Sequence, residues 1–91
     1  MGAVSQTIRL KLDAAFSPTR LDVVDDSHRH AGHEGAREGG ESHFSVTIQA
    51  AAFEGVGRVQ RQRMVYGALA DELAGPVHAL SVKALAPGEA A

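Results

Sequence analysis

Ninety-one residues with a formal charge of −2 and no cysteine describe one small domain with too little interior for a large active-site cavity, so function is expected at the surface. The missing thiols exclude disulfides, thiolate nucleophiles, cysteine-type zinc fingers and an all-cysteine iron-sulfur cluster, and the charge argues against a generic nucleic-acid or membrane binder. No apolar run approaches the roughly 20 residues that cross a bilayer, and the opening residues lack a signal-peptide h-region, so the expected address is the cytoplasm.

Val4, Ile8, Leu12, Ala15 and Phe16 fall at helical spacing behind Ser5, a candidate N-cap, and predict an amphipathic helix over 5–16 that stops before Ser17-Pro18. Arg9, Lys11 and Asp13 are expected on its wet side. Leu21, Val23 and Val24 predict a first strand over 20–26. Over 43–50 the chain alternates cleanly, Phe44, Val46 and Ile48 against Ser45, Thr47 and Gln49, which predicts a strand with one face on a core. A turn region with Gly55 and Gly57 follows. Met64, Val65, Ala68, Leu69 and Leu73 then form the stripe of a second helix over 59–74, stopped by Gly75-Pro76. Gly67 costs that helix about 1 kcal/mol relative to alanine, as a close packing point or as a tolerated weakness. A third strand is expected over 77–84, with His78 at its entrance, and 86–91 reads as a flexible tail too small and polar to pack. The order predicts one α+β domain over 1–91. It has a three-stranded mixed sheet with helices packed on one face, the last helix crossing over to a parallel final strand.

Between the first two strands lies a glycine-bearing loop over 27–42, long enough to be functional or disordered. His28, His30 and His33 fall within six residues there, so one loop could aim several imidazoles at zinc, copper or iron; solvated loop histidines are the alternative. His43 shares a strand face with Ser45 and Thr47 and is expected to be exposed or hydrogen-bonding. The phase of His78 with Leu80 and Val82 permits a partly buried structural histidine. Asp25 and Asp26 could orient an imidazole or simply be surface acids. Asp26, Ser27 and His28 supply triad residue types, but neighbours on one glycine-rich loop cannot rigidly assemble a nucleophile, base and oxyanion donors, so no enzyme is expected. Arg58, Arg61 and Arg63 are the candidate nucleic-acid contacts. On a helix Arg63 lies about 140° from Arg58, so the three form no single phosphate-tracking stripe.

Leu21-Asp22-Val23-Val24-Asp25-Asp26-Ser27, Gly40-Glu41-Ser42-His43-Phe44, Phe53-Glu54-Gly55, Arg61-Gln62-Arg63-Met64-Val65-Tyr66, Leu69-Ala70-Asp71-Glu72-Leu73 and Val77-His78-Ala79-Leu80 occur in this order. Together they resemble the BolA family over nearly the whole chain. The resemblance implies a class II KH-like (BolA-like) fold and a monomer that pairs with a monothiol glutaredoxin. It also implies a two-iron two-sulfur cluster shared with that partner and glutathione. His30 matches the family's loop ligand and His78 its C-terminal ligand; His33 and His28 are alternative ligands. Two imidazoles in place of two thiolates make such a cluster less negative and raise its potential. The resemblance also implies a competing role as a DNA-binding transcription regulator of stress response and cell morphology. Gln62 replaces a histidine common in the family, and the tryptophan that often follows the tail motif is missing.

Overall fold

The computed structural model describes residues 3–26, 43–75 and 77–89. In chain order the elements are α1 (Ala3–Phe16), β1 (Arg20–Asp25), β2 (His43–Gln49), a 3-10 turn (Ala51–Phe53), α2 (Arg58–Ala68), α3 (Ala70–Ala74) and β3 (Ala79–Leu85). The sheet order is β1-β2-β3, with β1 antiparallel to β2 and β2 parallel to β3. This is the expected three-stranded mixed sheet of an α+β domain. The alternation in β2 decides its faces: Phe44, Val46 and Ile48 are buried while the residues between them are half-buried.

Helix α1 presses Ile8 and Leu12 into that core, with Val4 and Phe16 packed at its margin. It begins two residues earlier than expected, so Ser5 is a buried residue inside the helix and not its N-cap. Arg9 and Lys11 are also drier than expected. Arg9 donates to the Leu21 carbonyl at 3.5 Å, and Lys11 lies 2.8 Å from Glu72 and 3.6 Å from Asp71, tying α1 to α3. Long basic side chains can cover apolar surface with their stems while reaching such partners.

The expected single helix over 59–74 is two. At Leu69 the backbone turns to φ −109 and ψ 22, and its N–H bonds to both the Val65 and Tyr66 carbonyls. The bend keeps Val65 and Leu69 both in the core, at 0% and 1% exposure. A β-carbon at Gly67 would meet nothing within 4 Å, so this glycine is a tolerated weakness. Gly67→Ala is therefore expected to raise stability by up to about 1 kcal/mol, read as a higher urea midpoint with an unchanged slope.

Two further boundaries differ from expectation. The Val77 N–H is spent on the Glu72 carbonyl at 2.9 Å, so β3 starts at Ala79 and His78 stands just ahead of it. The turn after β2 is not merely a connection. Its 3-10 turn plants Phe53 in the core, fully buried, with its ring 5.1 Å from that of Phe16.

Ala86 packs and the exposed residues after it are tied down through Glu89, where a loose tail was expected over 86–91. Ala86 is 5% exposed, and the Gln49 amide donates to the Ala86 and Glu89 carbonyls at 3.0 and 3.2 Å. The sequence hides this because the carboxylate that closes the segment, Glu89, finds its cation 28 residues away in Arg61. Residues 90 and 91 lie outside the described residues.

Candidate metal-ligating end of the sheet

Antiparallel pairing of β1 with β2 and parallel pairing of β2 with β3 bring three strand ends together: the exit of β1 and the entrances of β2 and β3. His43 opens β2 in register with Ala79, so the residue before Ala79, His78, is its neighbour across the strands. The two imidazole centroids are 5.5 Å apart and tilted by 53°. His78 is exposed and His43 half-buried.

The stems of the histidine loop meet at this same end. The Asp26 N–H donates to the His43 carbonyl at 2.7 Å, and the Ser45 hydroxyl donates to the Asp26 carboxylate. Asp26 is thereby fixed as a structural stem, and through it the exit of β1 is bound to the entrance of β2. His28, His30 and His33, like Ser27, lie outside the described residues. Among the described residues no group of three or more histidine, aspartate or glutamate side chains is placed to hold a metal ion. What this end offers among the described residues is two imidazoles side by side, a side-chain type that suits zinc, copper and iron.

The strand face of His43 implies an exposed or hydrogen-bonding side chain and gives no sign of its closeness to His78. No local sequence signal carries it. Strand alternation alone would set the two histidines on opposite faces, because His43 pairs with Ala79; the rings meet because His78 stands ahead of the strand and is free of its alternation.

The three arginines do not act together. Arg58 and Arg63 are exposed, whereas Arg61 is committed within the chain. It donates to the Val56 carbonyl at 2.7 Å, the Ala84 carbonyl at 3.1 Å and both Glu89 carboxylate oxygens at 2.6 and 3.2 Å. It is a tie for the C-terminal segment, not a free phosphate contact. Among the described residues, no helix is long and apolar enough to cross a membrane.

A three-stranded mixed sheet with helices packed on it defines the class of the fold, an α+β domain. The family model for "BolA-like protein" matches residues 12–89, and the chain belongs to that family. It is 43% identical over 89 residues to human BolA-like protein 1, covering 98% of this chain and 62% of the human protein. It therefore spans less than two thirds of that relative's length. The protein named DNA-binding transcriptional regulator BolA from Escherichia coli K12 is 43% identical over 79 residues, covering 87% of this chain and 71% of its own. Among solved structures, the BolA domain of SufE1 from Arabidopsis thaliana superposes with a TM-score of 0.88 at 41% identity, over 99% of both chains.

Proposed function

We propose that this protein is a non-enzymatic partner of a monothiol glutaredoxin that contributes histidines to a bridging two-iron two-sulfur cluster, in cluster assembly, trafficking or iron-status signalling. The observation that carries the proposal is the convergence at one sheet end of His78, His43 and both stems of the loop that holds His28, His30 and His33. His30 is four residues beyond Asp26, a length of chain that reaches at most about 14 Å. In this reading His78 is the fixed ligand and His30 the loop ligand, with His33 or His28 as substitutes. His43 stands beside His78 as a further donor or as the group that orients it. The donor chemistry fits: a chain without thiols can join such a cluster only as its imidazole half, with sulfur ligands from the glutaredoxin and glutathione.

Titrating the protein into cluster-loaded monothiol glutaredoxin with glutathione should change the visible circular dichroism spectrum. His78→Ala and His30→Ala should each blunt the change, and His43→Ala measures the neighbour. An unchanged spectrum with folded wild-type protein would sink the proposal. The name of the Escherichia coli relative favours a second reading, DNA binding. It would have to rest on Arg58 and Arg63 without Arg61, and absence of duplex binding at low salt would remove it.

A further inference from the structure

A groove of about 750 Å³ runs between the start of α2 and the outer edge of β3, away from the paired histidines. Three cations, Arg58, Arg61 and Lys83, line it against one anion, Glu89, which leaves a net +2 locally on a chain whose overall charge is −2. Arg61 and Glu89 neutralise each other. Arg58 and Lys83 form no salt bridge among the described residues. The floor is apolar, from Val56 and Leu85.

The strand edge in this groove is partly open. The Leu85 carbonyl accepts from the Ala50 N–H at 3.0 Å on the inner side. By strand alternation Leu80, Val82 and Ala84 turn their backbone groups outward. The Tyr66 hydroxyl donates to the Leu80 carbonyl at 3.3 Å and Arg61 to the Ala84 carbonyl. Val82, between these two occupied carbonyls, presents its N–H and C=O at the edge. Gln62, on the helical wall of the same groove, carries an amide that can both donate and accept.

We propose that this groove is a docking site for an extended acidic peptide segment of a partner protein. The peptide main chain pairs with Val82 at the strand edge, and its carboxylates meet Arg58 and Lys83. Strand addition supplies main-chain hydrogen bonds and flanking charges supply selectivity. Nucleic acid fits less well. The uncommitted cations are only two, Glu89 sits in the groove, and exposed Glu54 lies on the loop leading to α2, so a phosphate backbone meets carboxylates along its path.

The test is titration of the isolated protein, followed by amide chemical shifts, with a hexapeptide of alternating glutamate and valine. A lysine-valine hexapeptide, inorganic phosphate and a single-stranded oligothymidylate are run in parallel. The glutamate peptide should shift Val82, Lys83 and Arg58 resonances at sub-millimolar to millimolar concentration, and Arg58→Glu with Lys83→Glu should weaken its affinity by about tenfold or more. Both side chains are exposed, and an unchanged thermal midpoint would show that the variants fold. Equal binding of the lysine peptide would overturn the proposal, as would shifts reproduced by phosphate alone or tighter binding of the oligonucleotide at the same residues. So would silence at Val82, or affinity that survives both charge reversals.

Discussion

Phe53→Ala should destabilise the domain by about 3–5 kcal/mol, the range for truncating a fully buried aromatic. A chain of this length has a total stability on the order of 5–14 kcal/mol, so the variant should be partly unfolded or close to it. The size of the effect follows from where the ring sits. The 3-10 turn is held by Phe53 N–H to Ala50 carbonyl, Glu54 N–H to Ala51 carbonyl and Val56 N–H to Phe53 carbonyl bonds, each 3.1 Å. Gly55 supplies the left-handed φ of +72 that lets the chain leave the turn. Phe53 is thereby fixed against Phe16 on α1 and the core residues of β2, and neighbours so constrained cannot collapse into the space left by the ring. Urea unfolding followed by far-ultraviolet circular dichroism measures the loss. Phe53→Leu, which keeps most of the volume, should cost clearly less. An unchanged midpoint for Phe53→Ala would mean that the ring is not in the core.

Arg61→Ala should release the C-terminal segment. Four hydrogen bonds leave this guanidinium for the connection before α2, for β3 and for the segment after it, and its removal strands the Val56 and Ala84 carbonyls and the Glu89 carboxylate together. Amide exchange at Ala86 and Glu89 should accelerate by on the order of tenfold or more, while Val46 and Ile48 at the centre of the sheet stay protected. Arg63→Ala, on an exposed side chain, should leave both regions unchanged. The same pair sets an acid response. The Glu89 carboxyl is lowered to about 2 from an ordinary value of 4.5, first by its hydrogen bonds from Arg61, then by the Ala86 N–H, with Arg58 adding to the field. A lowered folded-state pKa contributes stability that is complete above about 4.5 and fades as pH falls toward 2. Glu89→Gln should flatten the stability profile across that window. Salt should also weaken the wild-type contribution, because the carboxylate is half exposed and screened.

What the sequence made legible follows from the range of each signal. The β2 alternation and the apolar stripe of α1 are local patterns produced by burial on one side of a regular element, and both faces are as read. Phe53 was missed because a 3-10 turn is too short to carry a periodicity; its burial depends on Phe16, far away in the chain. The break at Leu69 was missed because the apolar spacing through Met64, Val65, Ala68, Leu69 and Leu73 is continuous, and the bend changes direction without changing which side is dry. The anchoring of the segment after Ala86 depends on an arginine 28 residues before Glu89, which no local window of sequence contains. At the candidate site, the position of His78 at a strand entrance was readable from Gly75-Pro76 and the apolar run after it. Its pairing with His43 required the strand register.

His43 and the residue after His78, Ala79, are partners in the ladder between two adjacent strands, whose spacing is an invariant of polypeptide geometry, about 4.8 Å. That pair is therefore indifferent to the length and composition of the chain joining β1 to β2. Insertions or deletions there would change the reach of the loop histidines while leaving His43 and His78 where they are, so under the proposed function a single scaffold could be adapted to differently shaped partners without rebuilding its sheet.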